Sequence, residues 1–163
     1  MAISYNNLGN IYHHHKEYEK AKEFYQKSLK IKKIKFGESH LTVAITYLNI
    51  AQLYLDGDTL DNLQHLYDVA LEICLNNFSE KNPQISQAYI YKGEYHNKKE
   101  EYILGLSCYQ QALINLIKHF NNQSFYINPP IHKKLFISDY TLLLSTISKK
   151  AETLFTRYNY SNR

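Results

Sequence analysis

The sequence predicts an all-α solenoid of antiparallel helical hairpins, on two main observations. Phe36, Phe78 and Phe120 stand at equal steps of 42 residues, and a fixed period of this size marks a repeat array. The same step carries Tyr5 to Tyr47 and Tyr89, Gly9 to Ala51 and Gly93, Tyr25 to Tyr67 and Tyr109, Ser28 to Ala70 and Ala112, and Leu29 to Leu71 and Leu113, with no insertion. Within a unit, apolar and small residues recur at three- and four-residue steps. Tyr5, Leu8, Gly9 and Tyr12 make one stripe, and Ala21, Tyr25, Ser28 and Leu29 make a second. Two such stripes in succession describe an amphipathic helix pair.

The elements follow in order. Residues 1–122 divide into three hairpins over about 2–37, 41–78 and 83–120. Helix breakers fall at their edges: Gly37 after the second helix of the first unit, Gly57 in the turn of the second, and Pro83 at the first helical position of the third. The small residues Gly9, Ala51 and Gly93 let the two helices of each unit approach closely. One hairpin cannot bury its apolar face alone, so stacking is required. After Phe120 the period breaks. Residues 123–137 read as a linker, in which Pro129 and Pro130 discourage helix. A last helix is expected within 138–163, capped by Ser138 and running to about Tyr158. Its Ile147, Lys150, Ala151 and Leu154 suit the first half of a further repeat. Leu142, Leu143, Leu144, Ile147, Leu154 and Phe155 spread over several of its faces, which predicts self-association through this helix or a continuation that covers it.

Composition excludes several classes. With 44% hydrophobic and 21% charged residues, the chain fits an ordinary soluble domain. It has no apolar run long enough to span a bilayer and no leader pattern, so no membrane role and a cytoplasmic location are expected. Cys74 and Cys108 sit inside apolar helical patterns without metal or redox spacing. The net charge of +4 comes largely from Lys27, Lys30, Lys32, Lys33 and Lys35 at the end of one helix, where cations suit the helix dipole. Nucleic acid is not an expected partner, since the arginines are only Arg157 and Arg163.

Three consecutive histidines, His13 to His15, invite a metal reading. Successive helical residues point about 100° apart, so they do not converge on one ion as an i, i+4 pair does. The repeat step aligns them with Leu55, Asp56 and Gly57, and with Asn97, Lys98 and Lys99, at a helix end and turn. A solvated turn is the expected reading, with no metal and no cofactor. No catalytic residue is expected either: HExxH, GxSxG and GxxxxGK are all absent from the chain.

The stretch "YNNLGNIY", Ala21 with Tyr25, and Ser28 resemble the tetratricopeptide repeat pattern W-x2-L-G-x2-Y, A-x3-F and A. The third unit departs from it at Lys92, His96 and Gly105. The step of 42, with "FGESHLTVA" and "FSEKNPQIS" at the junctions, is most similar to the kinesin-light-chain type of array. The resemblance implies a right-handed superhelix whose first helices line a concave face, and a scaffold that binds a protein or peptide there. By resemblance the inward residues include Asn6, Asn7, Asn10 and His13, then Asn49 and Gln52, then Gln87, Tyr91 and Glu94. Ile3, His14, Ile45, Leu48, Leu55, Asp56, Ile90, Asn97 and Lys98 share those faces. Asparagine amides donate and accept, so Asn6, Asn10 and Asn49 suit the backbone of an extended peptide. Some family members clamp a terminal carboxylate. Asn10 and Asn49 match that clamp's asparagines, but Asn6, Gln87 and Tyr91 stand at its basic positions, which argues against it. The segment "NPP" with "LLLSTISKKAETLFTRY" resembles the corresponding region of bacterial proteins that carry a caspase-like CHAT domain downstream. The alternative function is therefore a regulatory piece of such a peptidase.

Overall fold

A computed structural model of the chain describes residues 1–60, 62–78 and 82–116, together with 149, 152, 153 and 156. Among them are six α-helices and no strand: α1 (Ala2–His14), α2 (Tyr18–Phe36), α3 (Leu41–Asp56), α4 (Leu63–Asn77), α5 (Pro83–Lys98) and α6 (Tyr102–Leu116). They pack as the hairpins α1/α2, α3/α4 and α5/α6, and α2 also packs on α3. Two compact units result, Met1–Ser79 with the first two hairpins and Glu80–Arg163 with the third.

Local chemistry sets the helix ends. The His40 ring accepts from the Thr42 amide at 3.2 Å to open α3. Asn82 Oδ1 accepts from the Gln84 amide at 2.9 Å to open α5, with Pro83 in the first turn. Every hairpin turn repeats one geometry. Lys16, Asp58 and Glu100 all adopt left-handed backbone, with φ of 61°, 60° and 62°. The next amide reaches back to the helix: Glu17 N to Tyr12 O, Thr59 N to Tyr54 O and Glu101 N to His96 O, at 2.9, 2.8 and 2.9 Å. Orphan carbonyls are satisfied this way at a helix C-terminus. Gly57 does not supply the left-handed residue of its turn; its φ is −84°, and Asp58 takes that role.

The core of each hairpin forms around a tyrosine on its second helix. Tyr25, Tyr67 and Tyr109 are all at most 1% exposed. A Cβ placed on Gly9 would come within 2.5 Å of the Tyr25 ring, and one on Gly93 within 2.6 Å of the Tyr109 ring. Glycine at these positions is thus required by close approach. The three departures in the third unit are accommodated. Gly105 is buried, and Lys92 is half-buried. His96 is buried with its Nδ1 2.6 Å from Glu101 Oε2.

The expected linker, Phe120, Ser138 and the apolar set Leu142, Leu143, Leu144, Ile147, Leu154 and Phe155 lie outside the described residues, as does most of the segment resembling CHAT proteins. Lys149, Glu152, Thr153 and Thr156 are helical. Thr153 Oγ1 donates to Lys149 O at 2.8 Å and Thr156 Oγ1 to Glu152 O at 2.9 Å.

Candidate functional site

The first unit holds a polar network between α1, α2 and α3 at the place where the other hairpins are apolar. Its base is Lys32, which is only 5% exposed. Of the five lysines near the end of α2, Lys32 alone is buried. The 19-residue α2 carries Lys32 inward, so that its ammonium reaches residues of both α1 and α3. Lys32 Nζ donates to Thr46 Oγ1 at 2.6 Å and to Asn6 Oδ1 at 3.3 Å. Thr46 in turn donates to the Thr42 carbonyl at 2.9 Å. Among the described residues no carboxylate forms an ion pair with Lys32. Burial pushes its ammonium below the usual lysine range, because the charged form loses hydration.

The asparagines sit on this base. Asn49 Nδ2 lies 3.4 Å from Asn6 Oδ1 and 3.5 Å from Asn10 Oδ1. Tyr25 Oη donates to Asn10 Oδ1 at 2.8 Å. An ammonium has donors only, so the Asn6 atom facing Lys32 must be oxygen. The Asn6 amide nitrogen therefore points away from the lysine. Asn10 likewise commits its oxygen inward, while the Asn49 oxygen is left as an acceptor.

A second group lies one turn further along. His13 Nε2 is 2.9 Å from Asp56 Oδ2, and Gln52 Nε2 donates to Asp56 Oδ1 at 3.2 Å. The His13 ring also meets the rings of Tyr18 and Tyr25 edge-on, with centroids 6.2 and 6.5 Å away. The reading of His13 as part of a solvated turn is thus corrected: it is half-buried and tied to the next hairpin. His14 and His15 are exposed. Among the described residues, no three His, Cys, Asp or Glu side chains are grouped to hold a metal.

Of the residues singled out from the sequence, the structure joins Asn6, Asn10 and Asn49 in one network and His13 with Gln52 through Asp56. Asn7 is exposed. Gln87, Tyr91 and Glu94 lie half-buried on α5 in the other unit, spaced to share one helix face. Leu48, Leu55 and Ile90, expected on the inward face, are buried in the core instead, because aliphatic side chains at these positions pack between helices. Lys32 and Thr46 escaped the sequence reading. A signal for Lys32 was present: the repeat step aligns it with Cys74 and Leu116, and Asn6 with Leu48 and Ile90. Cys74 and Leu48 are buried, and Ile90 and Leu116 share one apolar cluster. Hairpin one thus carries a polar pair at two positions that are apolar in both other hairpins.

Comparison with known proteins agrees with this architecture. The crystal structure of BtubC (BKLC) from P. vanneervenii superposes with a TM-score of 0.65 at 19% identity, over 98% of this chain. The chain spans 62% of that protein's length, and the likeness shows the fold alone. No curated protein matches the chain. The tetratricopeptide repeat family matches residues 1–73, which contain α1 to α3 and most of α4. The matched residues include the whole polar network, so over this stretch the chain is similar to the tetratricopeptide repeat family.

Proposed function

We propose that the chain is a protein-interaction module that holds an extended segment of a partner protein on Asn6, Asn10 and Asn49. Tetratricopeptide repeats generally mediate protein–protein interaction, and no described helix is long and apolar enough to cross a membrane. The observation that carries the reading is the polar exchange in hairpin one. Asn6 and Lys32 occupy positions that are Leu48 and Cys74, then Ile90 and Leu116, in its sister hairpins. A repeat that gives up buried apolar contact for a polar network departs from its own packing rule, and such departures concentrate at functional sites. The amide nitrogens of Asn6 and Asn10 and the oxygen of Asn49 complement the carbonyls and amides of a peptide backbone. Asn7, His13 and Gln52 extend this surface along the same unit. Gln87, Tyr91 and Glu94 form a further candidate contact surface on α5.

Selection from a random peptide phage library tests the proposal. Wild-type protein should enrich peptides that the double variant Asn10→Ala/Asn49→Ala does not hold, although circular dichroism shows the variant still folded at the selection temperature. Absence of enrichment on wild type, or equal retention by the folded variant, rejects it.

A further inference from the structure

The geometry points to a second interaction surface, on the outer side of hairpin one, that takes an amphipathic helix of a partner protein with acidic residues along its edge. The 42-residue step pairs Leu8, Ile11, Tyr12 and Phe24 with Ile50, Leu53, Tyr54 and Leu66. In hairpin two these four make one packed face. Ile50 and Leu53 are 6% and 2% exposed in a cluster with Ala21 and Tyr25 of α2, and Tyr54 and Leu66 pack against it. In hairpin one, Leu8 and Ile11 are 37% and 53% exposed, and Tyr12 stacks on Phe24 at 5.2 Å. At about 100° per residue, Leu8 lies on the opposite side of α1 from Asn6 and Asn10, so this face is separate from the asparagine network. A repeat buries such a face only against a neighbour, and over α3 that neighbour is a second helix, α2. The occupant over α1 is accordingly a helix with a small residue and an aromatic residue four positions apart, as Ala21 and Tyr25 are.

Charge distinguishes this occupant from α2. Over α3 the covering helix brings the cations: Lys22 Nζ stands 5.5 Å from the Tyr54 ring centroid and Lys33 Nζ 5.4 Å from that of Tyr47. The equivalent rings of hairpin one, Tyr12 and Tyr5, take theirs from the same hairpin, with Lys20 Nζ at 5.3 Å and Lys27 Nζ at 5.9 Å. Hairpin two has Asn62 and Val69 at those two lysine positions. A helix laid over α1 thus meets lysines where α2 would bring its own, and charge complementarity selects acidic side chains there. α1 itself carries no Asp, Glu, Lys or Arg, which leaves the centre of the contact apolar. The same lysines argue against a second copy of this chain, whose two-fold contact would set Lys20 and Lys27 against their counterparts. Glu17 and Glu23 pair with them at 2.6 and 2.5 Å, but exposed pairs of this kind contribute little and give way to a partner's carboxylates.

Two helical peptides test this on the full chain. One has the α2 sequence, 18–36, cross-linked between positions 19 and 23 to hold it helical; the other is the same peptide with Lys22→Glu/Lys33→Glu, the residues that would stand over Tyr12 and Tyr5. Methyl signals of Leu8, Ile11, Ile50 and Leu53 are followed by NMR. The acidic peptide should bind about tenfold more tightly than the basic one and shift Leu8 and Ile11. Lys20→Glu/Lys27→Glu in the protein should reverse the order, a gain of binding that unfolding cannot mimic. Asn10→Ala/Asn49→Ala should leave both affinities unchanged, so that this surface and the asparagine site fail separately. Equal affinities in the wild type, or an order that survives the lysine reversal, overturn the acidic partner. Binding by neither peptide overturns the surface, as does a response confined to Ile50 and Leu53. A wild-type chain that is dimeric in light scattering and monomeric after Ile11→Glu assigns the face to a second copy and overturns the inference.

Discussion

The first and third hairpins are the same object made with different chemistry. In both, a glycine on the first helix lies against a buried tyrosine on the second, Gly9 on Tyr25 and Gly93 on Tyr109. In both, one serine hydroxyl ties the helices together, but from opposite sides. Ser28 Oγ of α2 donates to Ala2 O at 2.9 Å, whereas Ser86 Oγ of α5 donates to Ala112 O at 2.8 Å. Two repeat steps align Ala2 with Ser86 and Ser28 with Ala112, so the same pair of positions has exchanged donor and acceptor. The tyrosines differ more. Tyr25 Oη donates to Asn10, while Tyr109 Oη is buried without a hydrogen-bond partner among the described residues. Desolvation, with the Cys108 thiol beside it, pushes the Tyr109 hydroxyl far above its ordinary value. Shape constraints are shared by the two hairpins, and the hydrogen bond of the core tyrosine is local to one of them.

The largest effect should be common to both hairpins. Gly9→Ala and Gly93→Ala each force a methyl group into a buried ring, and overpacking of this kind costs about 1–3 kcal/mol. Urea unfolding should register similar losses for the two. A harmless Gly93→Ala beside a damaging Gly9→Ala would break the equivalence of the hairpins.

Next in size is Lys32→Met, which gives hairpin one the apolar interior of its sisters. Exchange of a buried charge for an apolar side chain of similar volume should stabilise the fold by about 1 kcal/mol. The pH dependence has a definite sign. Burial depresses the folded pKa of Lys32 below 10.5, so its charge opposes folding at every pH below that depressed value. The cost is relieved as pH rises through the interval up to 10.5, where the unfolded chain binds more protons. Wild-type protein should therefore gain stability over this interval relative to Lys32→Met. A difference that is flat with pH contradicts the buried charge.

The two hydroxyls should separate the hairpins at a similar scale. Tyr25→Phe removes a bond to Asn10 and should cost about 1 kcal/mol, whereas Tyr109→Phe removes an unpaired buried oxygen and should be neutral or stabilising. Equal losses would show that Tyr109 is bonded in solution. The smallest effect belongs to the turns. Lys16→Gly or Glu100→Gly relieves left-handed strain and should add about 0.5–1 kcal/mol. A loss at either site, read in the same urea titration, would mean that its side chain supports the turn.

Much of this architecture was legible without coordinates. The 42-residue step located Gly9, Gly93, Tyr25 and Tyr109 as equivalent packing positions, because close helix approach restricts residue size and such a restriction leaves a periodic trace. Asn6, Asn10 and Asn49 were legible as a candidate site only through the family resemblance. The direction of their amides was not, since an amide reads the same in sequence whichever end faces inward.

Sequence by itself determined the helices, the period and the glycine–tyrosine contacts, all of which depend on spacing along one chain. Only tertiary structure decided that Lys32, one of five similar lysines, lies beneath Asn6 and Thr46, and that His13 reaches Asp56 across 43 residues. The physical reason is the same in both cases. Whether a charged side chain is hydrated or buried depends on what neighbouring helices place over it, and that is settled when the hairpins pack.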